Sequence, residues 1–189
     1  MEGKGMFLMA PGINTVSFYE GDLTGAKDYL RARLLQIWEA NKWLGATIVQ
    51  DKKKHGKLAA LRWSTKEAPI DDMFSFVDDP ASPLCGLSSS SKYVDVVKAV
   101  CGKDGANVPS GLNIIKSPTQ PILRLTVAAG PPGKNAFTVV LSISHIACDG
   151  TSYYQVLNML SSESEIVPLN VVRKQELHNQ IPSLVGEKV

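Results

Sequence analysis

The residues of this chain best suited to chemistry stand together in His145-Ile-Ala-Cys-Asp149-Gly150. A neutral imidazole can take a proton near physiological pH and so serve as a general base. The carboxylate four positions on can accept backbone amides or pair with an arginine, which fits it to hold the loop and the ring's orientation. Gly150 offers close backbone approach and an unusual dihedral. By composition alone, a His-x-x-x-Asp-Gly match arises about once in 80 such chains. The spacing therefore carries weight only through its setting. The plainer alternative is a core histidine held by hydrogen bonds beside an Asp-Gly turn.

That setting is well formed. An apolar strand, Ala136–Ser144, runs straight into the histidine, and a helical pattern follows from about Gly150 to Leu160. This helix should bury Tyr153 or Tyr154, with Val156, Leu157 and Leu160. Upstream, Gln120–Ala128 reads as a strand with Pro121 at its first position, where a missing donor is tolerated. Gly130-Pro-Pro-Gly133 then turns the chain, so the two strands should form an antiparallel hairpin.

The N-terminal half supplies the remaining elements. Asn14–Tyr19 has the β-branched and aromatic mix of a first strand. Leu23, Ala26, Leu30, Leu34, Ile37 and Trp38 then recur at helical spacing, with Lys27, Asp28, Arg31 and Arg33 on the other side. Asp22 or Thr24 is placed to cap this helix, and Asn41 to end it. Trp43–Gln50, the polar turn Asp51–Gly56 and Lys57–Trp63 read as strand, turn and strand, with Lys52, Lys53 and Lys54 as a solvated tip rather than an anion site. Phe74–Val77 reads as a short strand. Tyr93–Val100 fits a helix or a strand, and Cys101–Pro109 reads as irregular.

Bulk properties bound the answer. The 189 residues suffice for one substantial core, with 44% hydrophobic and 20% charged content typical of a soluble globular protein. A net charge of +2 is too small to argue for nucleic acid as a partner, and none is expected. No apolar run nears the roughly 20 residues of a membrane span, and the apolar patch in Met1–Pro11 is too short for a secretory signal. A cytosolic protein is expected. Cys85, Cys101 and Cys148 are odd in number and widely spaced, and His55, His145 and His178 are scattered, so neither a disulfide framework nor a metal site is expected.

Strand, Ser144-His-Ile-Ala-Cys-Asp-Gly150 and helix together resemble the active-site region of the chloramphenicol acetyltransferase-like superfamily. That group includes condensation domains, BAHD acyltransferases and wax ester synthases. Pro121-Ile-Leu-Arg-Leu with the following Pro/Gly turn, Leu30-Arg-Ala-Arg-Leu-Leu, and Trp43-Leu-Gly-Ala-Thr-Ile-Val49 are similar to neighbouring parts of the same fold. The resemblance covers most of residues 14–162. It departs at Ser144, where many members carry a second histidine, and no second-half Asp-Phe-Gly-Trp-Gly motif follows.

The resemblance implies an α/β two-layer sandwich with a mixed, mostly antiparallel sheet and helices on one face, forming one half only of the usual two. Residues 1–162 would be the acyltransferase half, and 163–189 a tail or the start of a second half. It implies acyl transfer from a CoA or carrier-protein thioester, used as co-substrate with no bound cofactor, to a small hydroxyl or amine acceptor. His145 would be the base and Asp149 structural, with Gly150 beside them and Arg124 a candidate partner of Asp149. A second copy or a missing half would complete the site. A non-catalytic half that binds a carrier domain or partner chain, and a purely structural domain, are the competing readings.

Overall fold

The computed structural model describes residues 9–51, 58–102 and 105–170. Six strands and five helices are built along it. They are β1 (Ile13–Glu20), α1 (Leu23–Ala40), β2 (Thr47–Asp51), β3 (Leu58–Arg62), α2 (Ile70–Met73), β4 (Phe74–Val77), α3 (Tyr93–Cys101), α4 (Gly111–Lys116), β5 (Leu123–Ala129), β6 (Ala136–Ile143) and α5 (Gly150–Met159). A 3₁₀ turn covers Lys42–Gly45.

Four strands form the main sheet in the order β1-β6-β5-β4, and β2-β3 form a separate antiparallel pair. β6 is central, antiparallel to β1 on one side and to β5 on the other. β4 joins β5 in parallel. That pairing requires a long crossover, and the segment carrying α3 and α4 provides it.

Side chains of β5 and β6 alternate between two faces. On the first face Leu123, Leu125, Val127, Val139, Leu141 and Ile143 meet Leu30, Leu34 and Ile37 of α1 and Tyr153 and Val156 of α5. Each fully buried side chain of this kind contributes about 1.5–3 kcal/mol relative to exposure. The structure adds a smaller core on the second face. There Ala128 and Val140 meet Ala99 and Val100 of α3 with Leu84, Leu87 and Ala106. Among the described residues no helix is long and apolar enough to cross a membrane.

Local expectations held where periodicity was strong. Asp22 caps α1, its carboxylate accepting the amides of Thr24 and Gly25 at 3.0 and 2.9 Å, and Asn41 ends it. Tyr93–Val100 resolves as helix. Two readings shift. Trp43 and Leu44 lie in the 3₁₀ turn, both buried, because a short apolar run suits a buried turn as well as a strand. β5 begins at Leu123, so Pro121 precedes the strand. α2 and α4, each under two full turns, carried too little periodicity to read. The lysine tip and its turn at 52–57 lie outside the described residues.

Arg33, assigned to the solvent side of α1, is half-buried and turned onto the end of α5. Its Nε donates to the Met159 carbonyl at 2.7 Å, and its Nη2 to the carbonyls of Ser161, at 2.9 Å, and Ser164. Tyr29 Oη donates to the Leu160 carbonyl at 3.0 Å. Carbonyls orphaned at a helix C-terminus draw such donors. The described part of the segment after Ser162 continues across α1. Asn41 donates to the Val167 carbonyl at 3.0 Å and accepts the Leu169 amide at 2.7 Å.

Candidate active site

β6 delivers its last strand residue, Ile143, fully buried into the core. The Ser144 amide donates to the Ile122 carbonyl at 2.7 Å and the Ala147 amide to the Ser144 carbonyl at 3.0 Å, so the chain leaves the sheet in a tight turn. His145 stands half-buried at the first position of that turn, with its Nδ1 atom buried. The ring is thus set at the mouth of a rigid strand.

Asp149 closes the turn by capping α5. Its Oδ1 accepts the Ser152 amide at 2.8 Å, and its own carbonyl accepts the Tyr153 amide at 2.9 Å. The Ser152 amide and then the Ser152 hydroxyl hold the Asp149 carboxyl below the usual carboxylate range, and His145 adds a smaller push in the same direction. The backbone has extended geometry at the cap, as a helix N-cap requires. His145 and Asp149 are therefore tied through one turn whose far end is a helix start.

Two residues lock the turn from beneath. Cys148 is buried, and burial, with the Asp149 charge second, pushes its thiol up to about 12. A thiol so protonated at neutral pH is core filling rather than a nucleophile. Tyr153, not Tyr154, is the buried tyrosine of α5. Its hydroxyl donates to the Leu141 carbonyl at 3.0 Å, fastening α5 to β6. Burial raises that phenol to about 12.

The pairing of Arg124 with Asp149 is corrected. Among the described residues no ion pair joins them, and Asp149 spends its carboxylate on the α5 cap. The reason is sheet alternation. Arg124 shares the second face with Ser142, whereas α5 packs on the first. Gly150 is corrected too. Its φ is not positive, and a Cβ there would meet no atom within 4 Å, so neither crowding nor an unusual dihedral calls for glycine.

A polar network escaped sequence reasoning altogether. Asn14, Ser142 and Arg124 lie in one row across β1, β6 and β5. Asn14 donates to the Gly12 carbonyl at 2.9 Å and to Asn107 Oδ1 at 3.0 Å, and Ser142 Oγ accepts the Val108 amide at 2.8 Å. A Cβ on Gly12 would stand 2.9 Å from Ser142 Oγ, so only glycine lets the chain pass this close. Ser142 inside an apolar strand was the one available signal, because a buried hydroxyl demands a partner.

No family model and no curated protein sequence matches the chain. Solved structures do. The chain is similar to TRI101 of F. graminearum, crystallised with coenzyme A and T-2 mycotoxin, at a TM-score of 0.56 and 12% identity, covering 86% of this chain and 38% of that one. It is similar to holo T3CT at 0.56 and 18%, covering 97% and 38%, and to SgcC5 of Streptomyces globisporus at 0.52 and 15%, covering 98% and 41%. The chain shares the fold of these structures, a mixed α/β fold of chloramphenicol acetyltransferase-like type. The chain spans about two fifths of the length of these structures, which matches one half of the chloramphenicol acetyltransferase-like architecture.

Proposed function

We propose that this chain is an acyltransferase half, residues 1–162, in which His145 acts as general base, with 163–189 a tail or the beginning of a second half. The observation that carries the reading is the placement of His145. It stands half-buried at the end of the central strand, in a turn braced by the Asp149 cap, within a fold that one neighbour uses in complex with coenzyme A.

In the reaction, a hydroxyl or amine of a small acceptor gives its proton to His145 as its oxygen or nitrogen attacks the thioester carbonyl. The tetrahedral adduct then collapses, the C–S bond breaks, and the departing thiolate takes the proton back from the imidazolium. Asp149 positions the turn and touches neither substrate. The donor is an acyl thioester of CoA or a carrier protein. Gly150 leaves open space beside the base, room for a substrate or for an opposing wall. That wall, and the oxyanion donors with it, would come from a second copy, a missing second half or a partner chain.

The test is thiol release from a panel of acyl-CoAs with wild type and His145→Ala, read beside native mass. Loss of turnover in the variant is expected, in an assembly larger than one chain. Equal rates would remove His145 as the base, and a monomer with full turnover would remove the need for a second wall. Thioester binding without turnover in any assembly would replace the enzyme with a non-catalytic docking half.

A further inference from the structure

The second face of the sheet carries a charge that no carboxylate among the described residues pairs with. Arg124 is half-buried on β5, next to the polar row of Asn14 and Ser142. Its one hydrogen bond among the described residues is a long one, from Nη2 to Gln120 Oε1 at 3.4 Å. No carboxylate among those residues lies within 4.0 Å of it, although the guanidinium offers five donors and stays charged at any physiological pH. Charges withdrawn from water are ordinarily paired.

Arg124 lines a cleft of about 330 Å³ together with Gln120, Thr119, Ser75, Asp71 and Asp72. A second cleft of about 380 Å³ adjoins it through Asp72, Thr119, Gln120 and Pro121. Both open at the end of the sheet where β6 releases His145. Arg124 stands opposite Ser142, and three further residues at the rise of a strand put His145 on the order of 10 Å away.

We propose that this cleft binds a single carboxylate of a small molecule, held by the Arg124 guanidinium with the Gln120 amide beside it. A planar fork suits a carboxylate, which it grips through two parallel hydrogen bonds. The acidic neighbours set the selectivity. Asp71 is occupied by Arg31 at 2.8 Å, but Asp72 has no ion-pair partner among the described residues. Its charge repels a polyanion while leaving a monoanion, or a carboxylate with an amine nearby, acceptable. The chemical class is thus a compact carboxylic acid, not a phosphate. That this compound is the acyl acceptor rests on the acyl-transfer reading above; the binding site itself does not.

The test uses the full chain and three probes: N-acetylglycine, its neutral relative N-acetylglycinamide, and inorganic phosphate. Titration followed on the Arg124 Nε–Hε resonance should show N-acetylglycine moving that signal, with the amide and phosphate each at least about tenfold weaker. Arg124→Gln should weaken N-acetylglycine by about tenfold or more, and Arg124→Lys should recover only part, since the ammonium lacks the fork. The wild-type resonance decides the matter if either variant fails to fold. An unmoved resonance, equal binding of acid and amide, or tighter binding of phosphate overturns the proposal. His145→Ala separates the two ideas. Carboxylate binding alongside undiminished turnover in that variant would sink the acyl-transfer base and leave the site. His145-dependent turnover without carboxylate binding would do the reverse.

Discussion

The two faces of the main sheet are built from alternate residues of the same strands and yet differ in kind. The first face is apolar across β5 and β6, where α1 and α5 cover it, and only toward the sheet edges do Tyr19 and Phe76 stand exposed. The second begins apolar under α3 and turns polar toward the His145 end, through Asn14, Ser142 and Arg124. The first face holds the larger core; the second carries a polar row near the end of the sheet where β6 runs into His145. The larger core and the polar row are thereby separated by a single step along each strand, since neighbouring residues point to opposite sides.

Substitutions that probe this division can be ranked by size. Leu34→Ala empties a fully buried position on the first face and should cost about 2–5 kcal/mol in denaturant unfolding. A much smaller loss would mean that the first face is loosely packed. Ser142→Ala on the second face strands the buried Val108 amide and should cost about 1–3 kcal/mol, with little effect on α1 or α5 by hydrogen exchange. If exchange rose equally everywhere, the faces would not be separate.

Asp149→Ala removes the α5 cap and should cost about 1 kcal/mol at neutral pH. The folded-state carboxyl is held low by Ser152, so its contribution is present above the unfolded value near 4 and is lost as pH falls through the lower folded value. Wild type and Asp149→Ala should therefore begin to converge as pH falls below about 4 and meet only below the lower folded-state value. A gap that persisted there would assign the cost to something other than the ionised cap. Gly150→Ala should leave melting unchanged or slightly raised, by up to about 1 kcal/mol, because the space is open and φ is ordinary. The added methyl should nonetheless depress acyl transfer, and unchanged turnover would move the substrate away from this side of the turn.

How far the sequence reached follows the same division. The first face repeats at period two in the strands and at three and four in α1, so its residues announce themselves. The placement of His145 was legible too, because the long apolar strand before it and the amphipathic helix after it both read as such. What escaped were facts set by the third dimension. Arg124 and Asp149 look like partners along the chain, but strand alternation sends them to opposite sides. Arg33 looked like solvent-face charge until the orphan carbonyls of α5 were brought beneath it. Tyr153 and Tyr154 are indistinguishable by spacing, and only the Leu141 carbonyl decides between them.

Cys148 turns the motif into something that can be timed. Of the three free thiols, Cys101 is exposed, Cys85 partly covered, and Cys148 sealed inside the turn that links His145 to Asp149. An alkylating reagent should therefore mark them in that order, and mark the last only during excursions that lift the turn from the core. The rate of that final modification is a clock for the opening of the segment that bears His145. Its slowing on adding an acyl thioester would register occupancy without any turnover.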